Sequence, residues 1–273
     1  MPDRIRSALL VPVAETARLL RQRPRRTVEA DLLLWRIASS GLLPLAVLML
    51  VLVPWGDRAL VSDPVGVVWF NALDVFAWAL VWLLGWGANA VYGLVGGYRF
   101  LALALGYELP LMFALIAPAV AAESLDLGVI AAAQSGLWYV VWMPVAFLAY
   151  CLGVLGMSVR APLDAAAGAD LAGGVLAELS GVDRLLVQAG RYALLVAGAA
   201  VAVPLFLGGG AGPLLPGWLW VVLKAGALAW ALAAVGSRLP TLRPDRVLQP
   251  AWVVLLPLVL LQDLVVAAVV VWG

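Results

Sequence analysis

Histidine is absent from the 273 residues, and cysteine occurs once, at Cys151. The first absence removes imidazole metal ligation, haem ligation through His and any His general base. The second excludes an intrachain disulfide and an iron–sulfur cluster held by this chain. Charge is scarce as well: Asp, Glu, Lys and Arg make up 12% of the residues, about half of what a soluble domain carries. There is no internal repeat, no P-loop, and no Gly-x-Gly-x-x-Gly opening a helix after a strand. The Gly208–Gly212 run has no Lys-Ser/Thr beside it and reads as a turn. No short apolar leader with a small-residue cleavage site is visible at the N-terminus.

Apolar residues are what the chain has in quantity, at 65%, together with 13 tryptophans. Seven runs are long enough, or nearly so, to cross a hydrocarbon core. They are Ile37–Trp55, Gly66–Trp86, Leu109–Ala122 (short, starting as early as Tyr107), Leu137–Met157, Leu185–Leu207, Leu214–Val235 and Trp252–Trp272. Most are apolar on all sides, as lipid-facing or fully buried helices must be. Trp35, Trp55, Trp69, Trp86, Trp138, Trp218, Trp252 and Trp272 fall near run ends, where an aromatic belt belongs. The expectation is an all-α polytopic bundle of about seven transmembrane helices, over 37–273, in a single membrane domain, 1–273.

Ile5–Arg21 differs in pattern. Ile5, Leu9, Leu10, Val13, Ala17 and Leu20 share one helical face. Arg4, Glu15, Arg18 and Arg21 lie on the other, with Arg6 the exception. Such a basic amphipathic helix, 5–21, lies in the membrane interface rather than spanning it. The basic loop Arg21–Arg26 after it reads as an anchor to anionic lipid. It does not read as a nucleic-acid site, because the chain has so little other soluble surface.

The cations sort to one side. With the N-terminus in the cytoplasm, all 17 Lys and Arg except Arg58, Arg191 and Lys224 are cytoplasmic. The opposite loops hold Asp57, Asp63, Glu123 and Asp126, or no charge. This fits the positive-inside rule and predicts a multi-pass plasma (inner) membrane protein with a cytoplasmic N-terminus.

The remaining stretch, Gly85–Pro110, separates two apolar runs and reads as neither a span nor an ordinary loop. Gly87, Gly93, Gly96, Gly97 and Gly106 punctuate it. Glu108 stands at the mouth of the next span, with Pro110 in the first turn. A carboxylate there is a functional candidate by default. The order Gly85-Trp86-Gly87-Ala88-Asn89-Ala90-Val91-Tyr92, Gly96-Gly97-Tyr98-Arg99 and Tyr107-Glu108-Leu109-Pro110 resembles the signature of the H (or "1") subunit family of respiratory complex I, the NADH:quinone oxidoreductase. The family lysine before the tyrosine is Val91 here. That family also includes membrane anchors of membrane-bound nickel–iron hydrogenases.

The resemblance extends along the chain. Leu9–Glu15 is similar to a family segment flanking the quinone cavity. The family places a transmembrane helix before it, and only eight residues precede it here, so that span is expected to be missing. The 158–184 loop shares Arg160-Ala161-Pro162, Asp164, Asp170, Leu171, Gly174, Glu178, Ser180 and Gly181 with the family. The family's acidic centre is replaced by Ala165–Ala169, and Met157 replaces a glutamate. Lys224 matches a family lysine. Arg238–Arg246, Trp252 and Leu256-Pro257 match its final turn and helix.

What the resemblance implies is a subunit without a redox centre of its own. It would wall a quinone cavity and link quinone reduction to proton translocation. Arg99, Arg160 and Pro162 would belong to the cavity and partner-docking loop, 158–184. Glu108, Asp164, Asp170, Glu178 and Lys224 are the proton-path candidates. Iron–sulfur clusters would sit in partner subunits, with quinone as substrate. Asp74, Arg191 and Asp263 are further charges at or near span depth, where each unpaired charge costs about 2.5–3.5 kcal/mol on insertion scales. Asp74 falls where the family has a small hydroxyl residue, and Arg191 where it has glutamate. The alternatives are a hydrogenase membrane anchor and a membrane scaffold or transporter without a redox partner.

Overall fold

The computed structural model describes residues 2–56 and 58–272, and side chains from residue 11 onward. The Ile5, Leu9 and Leu10 part of the predicted apolar face, and Asp57, therefore lie outside the described side chains. The chain begins with helix α1, Pro2–Arg21. Val13 and Leu20 of its apolar face are exposed and Leu19 is buried. One edge of α1 therefore docks on the bundle while Val13 and Leu20 stay uncovered, as an interfacial helix requires.

Among the described residues, six helices are long and apolar enough to cross a membrane. Five of them are α2 (Leu32–Val51), α3 (Gly66–Gly87), α4 (Val91–Ala121), α8 (Gly181–Phe206) and α9 (Gly217–Gly236). The sixth, Pro244–Trp272, is built from α10 (Pro244–Pro250), a wide π turn (Ala251–Leu255) and α11 (Leu256–Trp272). Between α4 and α8 lie the short α5 (Leu127–Ala133) and α6 (Tyr139–Trp142), and the apolar α7 (Pro144–Met157). The α2 helix starts before Ile37 because Asp31 caps it, accepting from the N–H groups of Leu33 and Leu34 at 3.0 and 3.1 Å. It also stops short of Trp55, which belongs to a small hairpin of β1 (Pro54–Trp55) and β2 (Arg58–Ala59).

The largest departure from expectation is α4. It runs unbroken through the glycine-rich stretch for 31 residues, so Gly93, Gly96, Gly97 and Gly106 lie on a helix rather than between two. The glycines remove bulk where backbones touch. A Cβ on Gly85 would strike the Gly93 carbonyl and come within 3.1 Å of Gly97 N. A Cβ on Gly97 would sit 3.3 Å from the Trp82 carbonyl. The run is a packing seam between α3 and α4, the small-residue route to close helix contact in lipid.

Leu137–Met157 is not one span either. The helix breaks at Met143, before Pro144, because proline excludes helical geometry from the residue preceding it. The break frees two backbone groups, and Gln262 of α11 meets both. Its Oε1 accepts from Ala146 N at 2.8 Å and its Nε2 donates to Trp142 O at 3.0 Å. Unsatisfied backbone is not tolerated at this depth, so the glutamine completes what the proline opened. The α8 helix is the most buried span and Pro244–Trp272 the least. The apolar faces of α9 and α11 are left for lipid or neighbouring helices.

Candidate functional site

The helices run alternately, which divides the loops between two ends. One end holds the turns 22–31, 88–90, 158–180 and 237–243. The other holds the hairpin and the 207–216 turn. At the first end, the signature residues make structural contacts. Asn89 takes a left-handed conformation (φ 44°) between α3 and α4 and donates to the Glu29 carbonyl at 3.2 Å. Asp31 N donates to Gly87 O at 3.0 Å. A shallow cavity of about 400 Å³ opens here, lined by Glu29, Asp31, Trp86, Asn89, Val91 and Leu94.

The 158–180 loop is folded onto the bundle, with Val159, Leu163, Ala165, Ala166, Val175, Leu176 and Leu179 in the core. It is not the open surface that a docking loop suggests. Its seat is Gly96, where a Cβ would come within 2.6 Å of both Ala166 O and Val175 N. One turn further along α4, Arg99 reaches Asp170 at 2.6 Å. The guanidinium hydrogen bond holds the Asp170 carboxyl below its ordinary value of 3.8. Arg160 lies over the Tyr192 ring, 3.7 Å from its centroid. Arg191 donates to Val159 O, and Arg160 and Asp164 lie close enough to act on its charge. Pro162 is buried, its carbonyl accepting from Leu242 N at 2.8 Å.

The proton-path candidates do not assemble as expected. Asp170 is engaged by Arg99, Asp164 lies near Arg191, and Glu178 is half-buried on the loop. Lys224 lies two turns into α9 from the opposite end. Its three N–H bonds go to the carbonyls of Leu207, Gly209 and Ala211 at 2.7, 2.9 and 2.8 Å, with the ammonium 4.2 Å from the Trp138 ring centroid. It clamps the α8–α9 turn with every donor it has.

Glu108 moves from the mouth of a span to the interior of one. It is in the middle of α4, with Pro110 inside the helix, so it caps nothing. The group beside it is the Asp74 carboxyl of α3. Both side chains are buried, and no donor among the described residues reaches any of their four oxygens. Neither makes an ion pair among the described residues. Tyr107 lies against them, its ring edge-on to Trp78 with centroids 6.3 Å apart. Tyr150 of α7 borders Asp74 and donates to Gly198 O at 2.8 Å. The sequence identifies Asp74 as an intramembrane charge. Its partnership is hidden there, because 34 positions separate two residues that meet across antiparallel helices.

A bundle of apolar spans, an interfacial helix and a buried acidic pair define a polytopic all-α membrane protein with two carboxyls inside its bundle. Residues 2–267 match the family described as NADH dehydrogenase. Among curated relatives, the H 2 subunit of the NADH-quinone oxidoreductase of Geobacter sulfurreducens is 34% identical, over 94% of this chain and 82% of the relative. The corresponding H 2 subunit of Cereibacter sphaeroides is 35% identical, over 93% and 81%. The H subunit of Syntrophotalea carbinolica is 31% identical, over 99% and 86%. The chain belongs to the H-subunit family of NADH-quinone oxidoreductases.

Proposed function

We propose that this chain is a membrane subunit of an NADH:quinone oxidoreductase of the complex I type. It walls part of the quinone cavity and links quinone reduction to proton movement through Glu108. The observation that carries the reading is family membership over nearly the whole chain. The H-subunit names of its relatives favour it over a hydrogenase anchor and over a scaffold without redox partners. The chain itself supplies helices, a cavity wall and carboxyls. Electron transfer falls to iron–sulfur proteins docked at the end carrying Arg99, Arg160 and the 158–184 loop. Purification through a tag on this chain should bring down iron–sulfur proteins and a preparation that reduces quinone with NADH. Hydrogenase activity instead, or recovery of the chain alone, would overturn the reading.

The cation-rich end, with the N-terminus, faces the cytoplasm across the plasma membrane. Positive-inside sorting supports this. The lone native thiol is buried, so an introduced cysteine is the only accessible one. A membrane-impermeant thiol reagent applied from outside should label a cysteine at exposed Ala211 and spare one at exposed Ala169. Equal labelling of the two would reject the orientation.

A further inference from the structure

We propose that Asp74 and Glu108 hold one proton between them and act as a single relay station. The inference deepens the reading above, and rests on it for the coupling to quinone reduction.

The argument starts from hydrogen-bond chemistry. An ionised carboxylate only accepts, whereas a protonated one also donates. Asp74 and Glu108 lie side by side, and no donor among the described residues reaches either of them. Two ionised carboxylates would therefore repel with nothing to satisfy them, in a setting where unpaired charge is expensive. A proton on one supplies the missing donor to the other and removes half of the charge. Two protons would also satisfy the pair, each O–H donating to the other carbonyl oxygen, but would leave no site to take up the next proton. One shared proton is the state that holds a proton and keeps a place for another, as a relay requires.

The neighbouring groups are consistent with this. Tyr107 on α4 borders both carboxyls, and Tyr150 on α7 borders Asp74. Neither is a cation that would stabilise a doubly ionised pair.

All four carboxyl oxygens are buried, so the pair lies wholly inside the bundle. A proton passing between them crosses from α4 to α3, where Asp74 lies beside the Tyr150 hydroxyl, which is tied to α8. The transfer balances: the O–H bond to one carboxyl breaks as the O–H bond to the other forms, and the net charge of the pair is unchanged. Depth agrees with contact, since Asp74 is about 20 Å along α3 from Gly87 and Glu108 about 26 Å along α4 from Val91, at 1.5 Å per residue.

The test uses the purified complex, with infrared difference spectra of wild type against Asp74→Asn, Glu108→Gln and the double variant, in light and heavy water. Wild type at neutral pH should show the deuterium-sensitive carbonyl band of one protonated carboxyl. Either single substitution should abolish it, because the new amide donates to the remaining carboxylate. The double variant should lose nothing more, in the band or in coupled turnover. Singles that each remove a separate band, adding up in the double, overturn the shared proton. So does a wild-type spectrum without the band, a result that needs no variant to assemble. A requirement for sodium in turnover would replace the proton with a metal ion and overturn the proposal too. The infrared readout does not depend on which acceptor the complex reduces, so the pair and the quinone reading fail separately.

Discussion

Glu108→Gln should leave the complex assembled and lower its proton-coupled turnover by roughly a hundredfold, the low end of what a positioned proton-transfer group contributes. Glutamine matches glutamate in size and keeps an acceptor oxygen. Its amide adds donors toward Asp74, so the packing between α3 and α4 survives. What it cannot do is bind and release a proton. In the middle of α4, Glu108 caps no helix end. Turnover and proton uptake are measured together in sealed vesicles, with the amount of assembled complex as the control. Normal turnover with normal proton uptake would reduce Glu108 to a packing residue.

Gly85→Val should prevent accumulation of the complex. The atoms that a Cβ would meet are Gly93 O, Gly93 C and Gly97 N, all backbone. A flexible side chain could rotate away, but a helix backbone cannot. Overpacking costs about 1–3 kcal/mol in ordinary cores and more where nothing yields. Separating α3 from α4 would also part Asp74 from Glu108. Gly226→Ala is the matched control, since a Cβ there meets nothing within 4 Å. Thermal stability in detergent and yield of assembled complex give the comparison. A Gly85→Val complex as stable as the Gly226→Ala one would mean that the seam is not close-packed in the membrane.

Much of the bundle is legible in the sequence because spans advertise themselves. The apolar run Gly66–Trp86 ends within a residue of the helix it forms, and the runs ending at Val235 and Trp272 stop equally close to theirs. Errors gather where a residue type has two readings. Glycine marks loops in soluble chains and close contacts in membrane helices, so Gly85–Pro110 looks like an interruption although most of it continues a helix. Pro110 has the local signature of a helix start, yet Pro110 and Pro118 both lie inside α4. Pro144, which does break its helix, carries the same local signal.

The site is legible residue by residue but not as an arrangement. Glu108 stands out through its neighbours Tyr107 and Pro110, and Asp74 through its depth in an apolar run. Their meeting depends on the register of α3 against α4, which the Gly85–Gly93 contact sets. The family resemblance makes Asp164 and Asp170 proton feeders. What it does not disclose is the long-range pairing of Asp170 with Arg99 or the proximity of Asp164 to Arg191. Lys224 is visible within an apolar run, but its carbonyl partners lie in the turn before its own helix.

The bridge made by Gln262 also fixes an order of events during synthesis. The glutamine follows the Ala146 amide it satisfies by 116 positions. At a translation rate of about 5–20 residues per second, roughly ten seconds pass between the two. Over that interval the gap at Met143 holds a bare amide and a bare carbonyl, and the insertion machinery or trapped water must cover them. The last helix therefore works as a seal on the earlier ones, and a ribosome that stops short of it leaves a membrane protein with an open wound at mid-depth.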